Sequence, residues 1–194
     1  MFHLNNKPHG AKQRKHGLDY YRIKTEWVSE ADNGELQKTK TEELVLATSY
    51  TEAETVAHSI ADVQSRGKFG SVNIEIIKTK INDVLINDIL AQEEGTTAGL
   101  ICSYFQESDE SGVGLYAVKI VNFYIDEKSG KNKRTSETLY TPALGNSDAT
   151  NRINDYLKGS MTDYVVRDVK FDKAEAIYLP KDIFQSKIKK ADLQ

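Results

Sequence analysis

Residues 116–140 read YAVKIVNFYIDEKSGKNKRTSETLY. An alternating apolar arm runs from Tyr116 to Ile125, a polar turn follows with Gly130 near its apex, and a threonine-rich arm ends at Tyr140. Apolar side chains that alternate with polar ones on both sides of a glycine-containing turn are typical of a β-hairpin. The sequence therefore predicts a long hairpin here.

The same pattern occurs once before, between Tyr21 and Leu46. Its first arm alternates Tyr, Ile, Thr and Trp with charged residues, and its turn is Asp32-Asn33-Gly34, a strong turn signal. When Tyr21 is aligned with Tyr116, the two turns and the two return arms also correspond. This correspondence predicts that the chain contains an internal repeat.

Each hairpin is followed by a helical pattern and then by a β-rich run. Thr51 and Glu54 form the pattern of a capping box at the start of the first helix. Residues spaced for one buried helical face are Ala53, Ala57, Ile60 and Ala61 in the first helix, and Ala149, Ile153, Tyr156 and Leu157 in the second. The predicted fold class is α+β, with duplicated ββαβ units whose antiparallel sheets are each covered by one helix.

The predicted organisation has five parts. They are a mobile basic arm (1–18), a first ββαβ repeat (19–86), an acidic linker (87–113), a second repeat (114–180) and a basic C-terminal segment (181–194). Within the linker, the apolar run from Leu100 to Phe105 is expected to dock as a short strand. Ile183, Phe184 and Ile188 predict a short amphipathic helix.

Several segments resemble one known family. They are residues 24–54 with TEAE at 51–54, residues 123–131 with DEKSGK at 126–131, and KGSMTDY at 158–164. These segments resemble the family called domain of unknown function 4494 (DUF4494), found in Bacteroidales and in their crAss-like phages. The resemblance implies a phage or bacterial cytoplasmic setting near replication genes, and it carries no established activity and no site residues. The acidic linker and the basic arm depart from the family pattern.

Composition restricts the class of protein. The net charge is −3 over 194 residues, which argues against a generally basic nucleic-acid binder, although Lys7, Lys12, Arg14 and Lys15 make the N-terminal arm basic. No apolar run is long enough to span a membrane, and no secretory signal is recognised. With a single cysteine, Cys102, the expected location is the cytoplasm.

No pattern of catalytic residues stands out. His58 lies in the first helix without a partner at a catalytic spacing, and Cys102 lacks the local motif of a reactive thiol. Ser111-Gly112-Val113-Gly114 lacks the lysine and the helix of a phosphate-binding loop. We therefore expect no enzyme activity, no cofactor and no metal site.

The leading hypothesis is binding of single-stranded nucleic acid, because aromatic rings can stack on bases while Lys and Arg contact phosphates. Cations and rings are interleaved along the predicted strands and at the hairpin tips. The predicted binding residues are Arg22, Lys24, Trp27, Lys38, Lys40, Lys119, Phe123, Tyr124, Lys131, Lys133 and Arg134. The opposing interpretation is that the rings face the core and the lysines are the solvent side of a half-covered sheet.

A second hypothesis is a protein-interaction module. A sheet with a helix on one face leaves edge strands that can pair with another subunit or with a host protein. The module would then be a homodimer, an oligomeric scaffold or an inhibitor of a host defence protein. Salt separates the two hypotheses, because phosphate binding weakens steeply as salt rises.

Overall fold

The computed structural model describes residues 17–65, 69–86, 96–105, 112–160 and 162–191. Most of the predicted basic arm lies outside the described residues. Within the described ranges the chain forms three helices and nine strands. In chain order they are β1 (Asp19–Glu30), β2 (Leu36–Ala47), α1 (Tyr50–Gln64), β3 (Phe69–Lys78), β4 (Thr96–Thr97), β5 (Leu100–Tyr104), β6 (Gly114–Ile125), β7 (Asn132–Ala143), α2 (Asn146–Tyr156), β8 (Asp163–Asp172), β9 (Ala176–Leu179) and α3 (Lys181–Ala191). The predicted α+β class is confirmed.

The first hairpin lies in a six-stranded sheet with the order β3-β1-β2-β9-β5-β4. β1 and β2 pair from Asp19 opposite Ala47 to Glu30 opposite Leu36. Side chains alternate between the faces of a strand, so Tyr21 and Ile23 of β1 share the face that α1 covers. The predicted stripe of α1, Ala53, Ala57, Ile60 and Ala61, is buried as expected, and Val56 is buried with it.

The second hairpin lies in a separate three-stranded sheet with the order β7-β6-β8. Ala149 and Ile153 of α2 are buried against it, as predicted. The prediction for Tyr156 is wrong, because its side chain is 43% exposed. Tyr156 is the last residue of α2, and the next residue, Leu157, packs partly buried against the cluster of Ala149 and Ile153.

Both halves have the order strand–strand–helix–strand, with the first strand in the middle of three. Each half also supplies a neighbour for the other half's sheet. Val84 forms a parallel bridge with Tyr140 of β7, and β9 runs parallel to β2 with Leu44 opposite Ile177. The two units therefore interlock. Their origin by duplication stays a prediction.

A buried cluster joins the two units. Tyr20 and Leu44 of the first sheet, Leu115 of the second, Val84, and Phe184 of α3 belong to it. The predicted C-terminal helix is confirmed as α3, which closes this cluster with Phe184. The cluster explains how two separate sheets hold together, since burial of apolar surface is the main favourable term in folding.

Part of the predicted linker belongs to the first sheet. Residues 100–104 form β5, which lies between β9 and β4, and Ile101 and Cys102 are buried. The expected docking of this apolar run is confirmed. Residues 96–105 are therefore not a spacer between the units. The acidic portions, residues 87–95 and 106–111, lie outside the described residues.

The helix start and the turns follow local sequence signals. The predicted Thr51 capping box is wrong, because the N-cap of α1 is Ser49, two residues earlier. The Glu52 N–H donates to Ser49 Oγ at 3.2 Å, and Glu52 accepts from the Thr48 N–H at 2.7 Å. The predicted turn glycines Gly34 and Gly130 both adopt positive φ, 83° and 63°.

Candidate nucleic-acid interface

The second hairpin exposes rings at its far end. β6 is mostly buried from Gly114 to Val121, and its last three residues are exposed. The side chains of Phe123, Tyr124 and Ile125 are 38%, 39% and 67% exposed. α2 packs on the near part of the sheet, so these side chains have no helix over them.

The exposed rings lie on opposite faces. Phe123 is opposite Arg134 on β7, and Tyr124 is opposite Lys133. Lys119 and Ile125 are separated from Phe123 by even numbers of residues, so they share its face. This is the face away from α2, because Val118 and Ile120 point to α2. One face therefore carries cations on both sides of a ring.

In the turn of this hairpin, Lys133 forms an ion pair with Asp126, and Lys131 forms none. Lys133 Nζ lies 2.5 Å from Asp126 Oδ2, and Ser129 also donates to Asp126. These hydrogen bonds lower the pKa of Asp126 to about 2 and raise the pKa of Lys133. Lys131 is exposed at the turn, and no described residue forms an ion pair with it.

Four cations of the hairpin have no ion-pair partner within the described ranges: Lys119, Lys131 and Arg134, and also Lys128 in the turn. Residues 119–134 contain five basic and two acidic residues, a net charge of +3. We call Lys119, Phe123, Ile125, Lys131 and Arg134 the distal hairpin surface. It combines an exposed ring with positive charge that the protein itself does not neutralise.

The first hairpin differs in charge although its architecture is the same. Lys24 lies 3.5 Å from Glu75, and Lys38 and Lys40 lie 2.9 and 3.0 Å from Glu26. Residues 24–39, which align with 119–134, contain two basic and four acidic residues, a net charge of −2. The predicted binding lysines of this hairpin are thus engaged by carboxylates and do not join the distal hairpin surface.

Trp27 requires a correction. Its side chain is 6% exposed, so its ring offers no face to a base. The reason is its position in β1, since alternate residues of this strand face α1 and Thr25 already bonds to Gln64 of that helix. Trp27 shares the buried face of β1 with Tyr21, Ile23 and Thr25, in agreement with the predicted alternation.

Arg22 also requires a correction. Its guanidinium lies 3.0 Å from Glu42 and 2.7 Å from Asp172, and its side chain is 16% exposed. It lines a cleft of about 280 Å³ together with Thr79, Lys80, Ile81, Thr138 and Tyr140. Two carboxylates already occupy the guanidinium, so Arg22 is a structural residue between the two units.

The comparison with protein families identifies the chain at family level. A family model described as a domain of unknown function, DUF4494, matches residues 19–181. The chain belongs to the DUF4494 family. No curated protein matches it. The matched range of this DUF4494 protein contains both hairpins and the whole distal hairpin surface.

Two residues near the surface were missed in the sequence. Ile125 of the DUF4494 protein continues the row of Val121 and Phe123, and the alternation of these three apolar residues is the signal that could have found it. Asp163 on β8 is opposite Phe123 and exposed. Its carboxylate repels phosphate, so a phosphate group should not bind on the side of Phe123 that faces β8.

Neither a metal site nor a membrane span is found among the described residues. They contain no group of three or more His, Cys, Asp and Glu side chains placed to hold a metal ion. Within the same part of the chain, no helix has the length and apolar character needed to cross a bilayer. His58 is exposed on α1.

Proposed function

We propose that this DUF4494 protein binds single-stranded nucleic acid, without catalysis, at the distal hairpin surface. The observation that carries the proposal is the arrangement on one sheet face, where the exposed Phe123 ring lies beside Arg134 and four residues along β6 from Lys119. Rings that stack on bases and cations that contact phosphates are the two elements of sequence-independent single-strand binding.

The geometry favours a single strand over a duplex. A strand rises about 3.4 Å per residue, so Lys119 and Phe123 are about 14 Å apart along β6, and Arg134 is the cross-strand neighbour of Phe123. An exposed ring gains from stacking only when bases are not already stacked in a duplex. The chain's net charge of −3 also gives no general attraction to a duplex backbone.

The test is fluorescence polarisation with a labelled single-stranded oligonucleotide at two salt concentrations. Three phosphate contacts predict a slope of log affinity against log salt of about −2. Raising salt from about 50 to about 200 mM should therefore weaken binding about 20-fold. Absence of binding at the lower salt concentration rejects the proposal.

The first hairpin supplies a matched control. We expect the triple variant Lys119→Ala, Lys131→Ala, Arg134→Ala to lose most of the affinity and most of the salt slope. The control is Lys24→Ala, Lys38→Ala, Lys40→Ala, which removes three ion-paired lysines from the equivalent hairpin and should bind nearly as the wild type. Equal losses in both variants would mean that binding is not located at the distal hairpin surface.

The setting of the proposed function follows the family resemblance. We place the protein in the cytoplasm of a bacterium or of a phage-infected cell, in a process such as replication in which single strands are exposed. The basic arm of residues 1–18 would add phosphate contacts, and its deletion tests this part separately.

The alternative, a protein-interaction module, has its own support. β3 and β8 are ten-residue edge strands, each with one neighbouring strand within the described part of the chain. An edge of this length presents backbone groups that another chain can pair with. Binding of a protein partner at such an edge would change little with salt, in contrast to phosphate binding.

A further inference from the structure

β8 is an edge strand whose outer side has backbone N–H and C=O groups that no described strand pairs with, and it also carries exposed apolar side chains. Of the strands that the structure describes, only β6 is paired with β8. Val165 and Phe171 of this edge strand are 45% and 38% exposed. Edge strands of this length usually carry features that block pairing or a partner that completes the sheet.

A bulge at the centre of β8 changes the alternation of side chains along the strand. Residues at equal distances on the two sides of the bulge therefore point to the same face of the sheet. Lys119 is opposite Asp168, but Ile120 is opposite Val166, so Arg167 is the extra residue. Val166 and Val169 consequently both share the α2 face. Tyr164, which bonds to Asn154 of α2, and Phe171, which contacts Tyr116, lie on this same face.

Because of this bulge, the side-chain orientations of the two arms of β8 are related by an approximate twofold axis at its centre. Counted outward from the bulge, the residues of the two arms form pairs that share a face. The pairs are Arg167 with Asp168, Val166 with Val169, Val165 with Lys170, and Tyr164 with Phe171. Without the bulge, paired positions would alternate between opposite faces of the sheet. A strand of this kind is complementary to a second copy of itself in antiparallel orientation.

We propose that the chain forms a symmetric dimer in which β8 pairs with β8 of a second copy. Arg167 of one copy lies opposite Asp168 of the partner subunit, so the twofold axis creates two ion pairs. Val166 and Tyr164 meet Val169 and Phe171 of the partner subunit on the α2 face. Cross-strand pairs of opposite charge and of aromatic side chains stabilise a sheet, and like charges destabilise it.

The occupant is a second copy because Arg167 and Asp168 at the centre of the strand meet opposite charges in that arrangement. Arg167 has no ion pair within the described part of the chain, and Asp168 contacts only the exposed Lys170, at 3.0 Å. The outermost pair would bring together Asp163 and Asp172, but Asp172 is already neutralised by Arg22. β3, the equivalent edge, lacks such a pattern, since its Glu75 and Lys78 are bound within the chain by Lys24 and Asp19.

The dimer would join two three-stranded sheets into one of six strands. Both α2 helices would lie on one face, and both distal hairpin surfaces would lie on the other. The inference holds whether or not nucleic acid binds, because it depends on β8 alone. It goes beyond the proposed function by naming the partner and the register.

The test is sedimentation velocity of the full chain from low to high micromolar concentration. We expect the mass to approach twice the 21.8 kDa of one chain. Arg167→Asp places four carboxylates at the axis and should raise the dissociation constant at least about 10-fold. The double variant Arg167→Asp, Asp168→Arg reverses both ion pairs and should restore the dimer. Amide exchange of β8 should slow as the dimer forms.

The control is Asn73→Asp, which adds a negative charge to the exposed edge strand β3. It should leave the mass unchanged. A wild-type chain that stays monomeric at high micromolar concentration overturns the inference. So does a dimer that persists in Arg167→Asp with its circular dichroism intact, or one that the double variant does not restore, because the contact would then lie elsewhere.

Discussion

Arg22 Nη2 on β1 lies 2.9 and 2.7 Å from the two carboxylate oxygens of Asp172 on β8. The two residues belong to different sheets and are 150 positions apart in the chain. Burial alone would lower the pKa of Arg22, but the hydrogen bonds and charges of Asp172 and Glu42 outweigh it and the pKa is raised. The ion pair is therefore a polar link between the two units, beside the apolar cluster that joins them.

Asp172→Asn should destabilise the fold by about 1–3 kcal/mol, because it leaves a mostly buried guanidinium with one charged partner fewer. Urea denaturation measures the loss. Glu75→Gln is the control, since the pair of Glu75 with Lys24 is exposed and should contribute less than about 1 kcal/mol. Equal losses in the two variants would show that the link between the units contributes nothing particular.

Glu43 is 1% exposed, and only one of its carboxylate oxygens accepts a hydrogen bond, from Gln64 Nε2 at 2.6 Å. Burial raises the pKa of Glu43 in the folded state above its unfolded value. The folded state therefore holds this proton more tightly, and stability falls as pH rises between the two values. Glu43→Gln should remove this penalty and stabilise the fold by about 1 kcal/mol above that window.

Urea denaturation of the Glu43→Gln variant and the wild type at several pH values checks this. The difference in unfolding free energy should be largest in mildly alkaline solution and should shrink toward acid pH. A difference that is constant with pH would show that the carboxyl does not titrate differently in the folded and unfolded states.

Phe123→Ala should weaken single-strand binding by about 1–3 kcal/mol, or about 5- to 150-fold, because one stacked base is lost. The salt slope should stay the same, since no cation is removed. Fluorescence polarisation titrations at several salt concentrations measure both the affinity and the salt slope, and so distinguish the loss of stacking from the loss of a charge contact. Val28→Ala changes the aligned position of the first hairpin and should leave affinity unaltered; a comparable loss there would argue against stacking at Phe123.

Trp27 is the single tryptophan and is buried, so its fluorescence reports on the folded interior. Acrylamide should quench it weakly, and an added oligonucleotide should leave it unchanged. The variant Trp27→Phe, Phe123→Trp moves the reporter to the distal hairpin surface, where oligonucleotide binding should quench it. Quenching of the wild type by oligonucleotide would restore Trp27 as a stacking residue.

Lys133→Ala should raise the pKa of Asp126 from about 2 toward the ordinary value, because the hydrogen bond from Lys133 is the main cause of the shift. Titration of the Asp126 carboxyl by NMR measures it. The same variant should reduce nucleic-acid affinity less than Lys131→Ala, since Asp126 already engages Lys133. A larger loss for Lys133→Ala would mean that phosphate displaces Asp126.

The hairpins, the turn glycines and the α1 stripe could be predicted from the sequence, because they depend on neighbours within a few residues. Gly34 and Gly130 illustrate this, since a turn position with positive φ favours glycine, which has no Cβ. The first residue of α1 could not be predicted in the same way. Ser49 and Thr51 are both suitable caps, and only the backbone at Ser49 decides between them.

In the candidate site, local alternation and charge are enough to predict which strands carry cations and rings. Which of these side chains can reach a ligand depends on contacts between distant parts of the chain. Trp27 is buried in the folded chain, and Arg22 meets a carboxylate 150 residues away. Lys24 is bound by a strand that lies beyond an intervening helix. The pairing of Val84 with β7 and of β9 with β2 likewise depends on packing between residues far apart in the chain, which no local sequence pattern predicts.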